Sequence, residues 1–177
     1  MLAQAQSLRK MISQEPIVVL PGVFDCVSAR AALLSQFEVL FVSGYAVSAA
    51  SLGLPDYGFL TATEMLAAVS RIVSAVHVPV IADIDTGYGN PLNVYRTVED
   101  VVRAGVAGVF LEDQVWPKRC GHMSGKKIIG AGEQIEKIKA ASEARGESGL
   151  VIVARTDARA VEGFDAALKR AESYLQA

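Results

Sequence analysis

VPVIADIDTGYGNP, residues 78–91, is the stretch that decides the fold. It opens on a short apolar run, Pro79–Asp83, that suits a buried strand. It then turns polar and glycine-rich through Asp85–Gly89 and ends on Asn90-Pro91, an N-cap followed by a first-turn proline. Val94, Val98 and Val101 continue as one helical stripe, and Gly105 can end it. Strand, polar crest and helix start therefore follow one another directly.

The same unit recurs along the chain. Ile17–Leu20, Val39–Ser43, Gly108–Glu112 and Leu150–Ala154 read as further strands. Most are nearly continuous apolar runs, as parallel strands covered on both faces should be. Helices fit Asp25–Ser35, a segment starting near Gly132, and the stripe Phe164, Ala167, Leu168, Ala171 and Leu175. Thr61 and Glu64 have capping-box spacing ahead of Met65, Val69, Ile72, Val73 and Val76. Another helix can precede the first strand. Repeated strand–helix units argue a parallel α/β fold, here one domain over residues 1–177. An open doubly wound sheet can stop at five strands. A closed (β/α)8 barrel needs about 250 residues, and this chain shows five βα units.

Composition narrows the function. Of 177 residues, 51% are hydrophobic and 20% charged, which excludes a disordered chain. The net charge of −2 gives no basic footprint for nucleic acid or an anionic membrane. No uncharged apolar run approaches the ~18 residues of a membrane span. The first residues lack an apolar signal core, and Cys26 and Cys120 do not make a disulfide framework. A cytoplasmic location is the expectation.

Polar residues gather after the strands, where α/β folds place their sites. These are Ser43-Gly44-Tyr45, Asp83 to Asn90, Glu112-Asp113-Gln114 and Arg155-Thr156-Asp157. Asp83 and Asp85 are two apart in extended chain and can face one side; neither has a cation near it in sequence. Glu112 ends the next strand, about 5 Å away in a parallel sheet. Three carboxylates in one mouth repel unless one is protonated or a cation intervenes. An oxygen-only set suits Mg²⁺ or Mn²⁺. Acids at strand ends also cap helices, and Asp113 reads as a cap or a supporting group.

The segment 114–129, QVWPKRCGHMSGKKII, gathers Lys118, Arg119, Cys120 and His122, with Gly121 and Gly125 between them. A loop of that length between strand and helix suits a lid over an anionic substrate. Arg155 can make a bidentate contact with a carboxylate, from a substrate or from a neighbouring strand end. Asp56, in GLPDYG (53–58), is either a turn residue or an acid reaching the site. Cys26 reads as a small buried residue and His77 as a surface one. Gly87-Tyr88-Gly89 lacks the third glycine of a dinucleotide fingerprint, and no GxxxxGK[ST] phosphate loop is present.

Together, SGY (43–45), GLPD (53–56), ADIDTGYGN (82–90), LEDQ (111–114), PKRCGH (117–122) and ARTDA (154–158) resemble the isocitrate lyase/phosphoenolpyruvate mutase superfamily, from about Pro21 to Tyr174. The likeness is greatest to its short 2-methylisocitrate lyase-like and carboxyphosphonoenolpyruvate mutase-like members. It implies a (β/α)8 barrel in homo-oligomers that exchange a C-terminal helix. It implies Mg²⁺ on Asp83, Asp85 and Glu112, directly or through water. Ser43, Gly44, Tyr45, Gly121 and Arg155 would contact a small dicarboxylate substrate, with Asp56 near the reacting centre. Lys118, Cys120 and His122 match a gating loop whose cysteine protonates the departing carbanion. The phosphonate-making mutases generally lack that cysteine, so Cys120 favours C–C cleavage. Family members are longer, and their later acidic and amide residues have no counterpart here. The expected function is a Mg²⁺-dependent lyase of a 2-hydroxy or 2-oxo dicarboxylate. The alternatives are oxaloacetate decarboxylation or hydrolysis, a mutase, and an inactive shortened homologue.

Overall fold

The computed structural model describes residues 2–14 and 17–177. Helix α1 (Leu2–Gln14) precedes strand β1 (Gly22–Val23) and helix α2 (Cys26–Leu34). Then come β2 (Leu40–Val42), a short α3 (Gly44–Val47) running into a π-helical turn (Ser48–Leu52), and α4 (Ala62–Ala75). The chain continues through β3 (Val80–Asp83), α5 (Pro91–Arg103), β4 (Gly108–Glu112), α6 (Ala131–Arg145) and β5 (Val151–Arg155). It finishes with α7 (Ala158–Val161) and α8 (Phe164–Leu175).

All strand pairs are parallel, in the order β1-β2-β3-β4-β5. Strictly sequential order is the winding of a barrel, whereas a doubly wound sheet reverses its order at a switch point. The fold is thus α/β with a five-strand parallel sheet of barrel type.

Local chemistry explains the element ends. Thr61 and Glu64 form a reciprocal capping box, with Glu64 Oε2 accepting from Thr61 N–H at 2.9 Å. Asn90 Oδ1 accepts from Leu92 N–H at 2.9 Å ahead of α5, and Asp25 Oδ1 accepts from Ser28 N–H at 2.7 Å ahead of α2.

The first strand differs from the sequence reading. Ile17–Leu20 forms no strand; only Gly22 and Val23 pair, with Phe41 and Val42. β2 begins at Leu40, so the residues before Pro21 have no strand beside them. Cys26 is half-buried rather than buried, its thiol directed at Arg71 O at 3.5 Å. His77 is exposed, as expected.

The core lies in two layers. Outward-facing Leu40, Val42, Val80, Ala82, Val109 and Leu111 pack under the helices with Val69, Ile72, Val94 and Val98. On the concave side, Leu8 of α1 is buried against Val39, Ile81 and Ala107. Gly108 makes room for it, since a Cβ there would lie 3.1 Å from Leu8 Cδ2. Phe41 and Phe110 meet edge to face at 5.0 Å above this plug. The floor of the concave face is therefore apolar, and its C-terminal rim is left for charge.

At that rim, fully buried Asp113 ties the last helix to the strand ends. It accepts from Thr156 Oγ1 at 2.7 Å, Tyr174 OH at 2.8 Å, Asp157 N–H at 2.9 Å and Arg170 Nη1 at 3.2 Å. Its role is structural support, in line with its sequence reading. Asp113→Ala removes four hydrogen bonds at once and takes from buried Arg170 the nearer of its two carboxylate partners, Glu162 at 3.4 Å being the other. It is expected to cost about 3–5 kcal/mol in a denaturant melt. A melt like the parent's would refute that role.

Candidate active site

The mouth is built from four strand ends and one excursion. β3 ends at Asp83, and Asp85 follows in a left-handed conformation at φ 48°. A Cβ placed on Gly44 would lie 3.1 Å from Asp83 Oδ2 and 3.5 Å from Asp85 Oδ1, so the two carboxylates converge beside α3. Asp83 Oδ2 accepts from Gly44 N–H at 3.2 Å, and Asp83 Oδ1 accepts from Asp85 N–H at 3.0 Å. Glu112 joins through its backbone, its N–H donating to Asp85 O at 2.8 Å.

The excursion 114–129 folds back over this mouth. Val115 N–H donates to Lys127 O at 2.8 Å and Ile129 N–H to Asp113 O at 2.9 Å, which pins its two ends. Gln114, fully buried, donates to Glu112 Oε1 at 3.0 Å and accepts from Arg119 N–H at 3.0 Å. Within the excursion Lys118 and Cys120 are buried, while His122 is exposed. Cys120 N–H donates to Asp56 O at 2.9 Å.

Ion pairs organise the centre. Lys118 Nζ lies 2.5 Å from Asp56 Oδ1 and 2.8 Å from Asp85 Oδ1. The second contact is ionic, without the alignment of a hydrogen bond. Arg155 Nη1 lies 3.0 Å from Glu112 Oε2, and its Nη2 lies 3.0 Å from Asp157 Oδ2. Lys126 Nζ pairs with Asp157 Oδ1 at 3.0 Å and donates to Gly121 O at 2.6 Å. Gly121 itself lies against Arg155, where a Cβ would approach Nη2 to 2.7 Å. No larger residue fits there unless the guanidinium moves.

Asp56 thus reaches the site and is no simple turn residue. Asp85 and Glu112 each have a cation partner, supplied by later segments and invisible as sequence neighbours. Asp83 has no ion-pair partner of its own among the described residues. Ser43 caps α3, its Oγ accepting from Ala46 N–H at 3.4 Å, and the Tyr45 side chain is 55% exposed, away from the buried centre. Sequence reasoning placed Gln114 and Asp157 among the polar strand ends without giving either a role, and did not name Lys126. The signal for Asp157 was its place two residues after Arg155.

Five carboxylates (Asp56, Asp83, Asp85, Glu112, Asp157) face three cations (Lys118, Lys126, Arg155), so negative charge is in excess. Burial, then the Asp83 charge, raises the Asp85 carboxyl to about 7. Burial raises Glu112 to about 8, against the pull of Arg155. Asp83 is raised by desolvation too, opposed by Lys118 and Arg155. Burial alone would lower the Lys118 pKa, but Asp85, Asp56 and Asp83 hold it raised. Excess buried carboxylate with an under-bonded Asp85 Oδ1 is a donor set that fits a hard divalent cation. Among the described residues no three such ligands stand gathered as a finished cage. Direct bonds from part of the set, with water completing the rest, suit the arrangement.

These shifts carry a sign. Asp85 and Glu112 hold protons in the folded chain that they release when unfolded, where their values are 3.8 and 4.5. Their contribution to stability is full below those unfolded values and is lost as pH rises through about 7 and 8. The metal-free melting temperature is expected to fall from pH 6 to pH 9, and Mg²⁺ to flatten that slope. A melting temperature rising across the window in calorimetric scans would contradict this.

A sequence profile described as phosphoenolpyruvate phosphomutase matches residues 8–177. The chain belongs to this family. Among its relatives, the petal death protein of Dianthus caryophyllus is 49% identical over 172 residues, covering 97% of this chain and 54% of that protein. The 2,3-dimethylmalate lyase of Eubacterium barkeri is 47% identical, covering 98% and 60%. The 2-methylisocitrate lyase of Aeropyrum pernix is also 47% identical, covering 96% and 54%. The chain thus spans little more than half the length of these phosphomutase-family relatives. A solved oxaloacetate acetylhydrolase in complex with 3,3-difluorooxalacetate superposes with a TM-score of 0.94 at 37% identity, covering 99% of this chain and 61% of that one. Phosphonopyruvate hydrolase in complex with oxalate and Mg²⁺ gives 0.89 at 29% identity, covering 98% and 59%. No helix among the described residues is long and apolar enough to cross a membrane.

Proposed function

We propose that this family member carries the reacting groups of a Mg²⁺-dependent carbon–carbon lyase acting on a small 2-hydroxy or 2-oxo dicarboxylate. The observation that carries the reading is Cys120, 8% exposed within the excursion, its backbone N–H bonded to the carbonyl of Asp56, whose side chain belongs to the charged centre. Such a thiol is placed to act as a general acid shielded from water.

Asp85 would hold Mg²⁺, with Asp83 and Glu112 supporting it directly or through water. When bound, the ion supplies Lewis-acid stabilisation of negative charge on the substrate's C1 carboxylate and C2 oxygen. Arg155 offers its guanidinium to a substrate carboxylate, with Glu112 and Asp157 fixing its plane. The Asp56 carboxylate takes the C2 hydroxyl proton, and Lys118, paired with it, balances the charge that results. The C2–C3 bond then breaks, leaving a carbonyl at C2 and an electron pair on C3. Cys120 delivers its thiol proton to that carbon. The excursion keeps solvent from competing.

Hydrolysis of oxaloacetate in the same pocket is the second reading, supported by the 0.94 superposition on oxaloacetate acetylhydrolase. A product screen separates the two. The chain is incubated with 2-methylisocitrate, 2,3-dimethylmalate, oxaloacetate and phosphonopyruvate, with and without Mg²⁺. Mg²⁺-dependent retro-aldol products from the branched dicarboxylates support the lyase. Oxalate and acetate from oxaloacetate alone, or turnover of phosphonopyruvate alone, would overturn it.

A further inference from the structure

Behind the sheet, on the face of α6 turned toward β3 and β4, Lys137 is only 3% exposed. Its Nζ donates to the backbone carbonyl of Thr86 at 3.1 Å, and it forms no ion pair among the described residues. A buried ammonium without a carboxylate partner is costly, and an apolar residue would serve the fold better. What it holds gives it a reason to be there.

Thr86 follows Asp85 directly and is fully buried. The turn is strained: Asp85, Gly87 and Tyr88 have φ of 48°, 81° and 59°, a region that disfavours non-glycine residues. Gly87 admits no larger residue, since a Cβ there would lie 2.3 Å from Val94 Cγ2. Asp85 O is held from one side by Glu112 N–H at 2.8 Å. Thr86 O, the next carbonyl, is held from the helical layer by Lys137. Holding both carbonyls orients the two peptide planes that flank Thr86. The first of these planes also flanks the Asp85 Cα, so a Thr86 fixed in place restrains how Asp85 can turn.

We propose that Lys137 is a positioning residue that aims the Asp85 carboxylate into the mouth by clamping the Thr86 carbonyl from the helical layer. Its consequence for cation binding rests on the reading of Asp85 as a metal-holding acid; the clamp itself does not.

The test is hydrogen exchange by mass spectrometry on the full chain, parent against Lys137→Met, with Mn²⁺ titration as a second readout. Exchange in the segment 84–89 is expected to quicken at least tenfold in Lys137→Met, while α5 and β2 keep parental protection. Lys137→Arg, which keeps a donor, is expected to restore it. Gln134→Leu, on the same helix face but bonded to Leu111 O, is expected to leave the segment unchanged. Mn²⁺ affinity should fall at least tenfold in Lys137→Met. Unchanged exchange at 84–89, or an even rise across α6 and β4, would overturn the clamp. If Lys137→Met does not fold, Lys137→Gln is read by the same criteria. If the parent takes up no Mn²⁺, the metal reading fails, and the exchange pattern still decides the clamp.

Discussion

Cys120→Ala is expected to lower turnover by about 10²- to 10⁴-fold, the usual contribution of a placed general acid, while leaving Mg²⁺ affinity at the parental value. The split follows from the geometry. Cys120 is fastened to Asp56 through its backbone N–H, which alanine keeps, and the thiol is no member of the carboxylate set. Deletion of the thiol therefore removes a proton donor without loosening the excursion. Single-turnover assays should show the loss in the chemical step and not in substrate binding. Loss of Mg²⁺ binding in this variant would place Cys120 in the metal site and contradict its assignment. Full activity would remove the general acid altogether.

Lys118→Met is expected to destabilise the metal-free chain by about 3–5 kcal/mol, the effect of leaving buried charge without its partner. Asp56 and Asp85 both depend on this one ammonium, at 2.5 and 2.8 Å. Two signatures distinguish this from ordinary core damage. The deficit should shrink toward low pH, where Asp85, its carboxyl raised by burial to about 7, takes up a proton. Mg²⁺ should raise the melting temperature of the variant more than that of the parent, because a divalent cation can take over part of the charge balance. A variant within about 0.5 kcal/mol of the parent would behave like an ordinary surface substitution and show that the pairs do not matter.

Much of this was legible before the structure. Asn90-Pro91 and Thr61–Glu64 mark helix starts because capping is local chemistry, written in adjacent residues. Gly108–Glu112 is a strand in sequence and structure alike because an apolar run buried on both faces has few alternatives. The short α3 and α7 were not legible, since four residues are too few to show a period. Ile17–Leu20 misled because extended apolar chain makes a strand only where a neighbour pairs with it. Within the site, the acids were legible as strand-terminal residues. Of their cation partners, Arg155 was legible as a strand-end arginine able to pair with a neighbouring strand-end acid, as it does with Glu112, whereas Lys118 was not, because it reaches Asp85 only through the fold of the excursion. The support from Asp113 to Arg170 and Tyr174 spans even more chain, and no local pattern announces it.

The central claim is that Asp83, Asp85 and Glu112 leave a negative charge that a divalent cation completes. Isothermal calorimetry of Mg²⁺ binding, run near pH 7 in two buffers of different ionisation enthalpy, tests it directly. Specific binding with net release of protons is the predicted result, because Asp85 and Glu112 titrate at about 7 and 8 without the ion. Absence of binding at millimolar Mg²⁺, or binding without proton release, would contradict it.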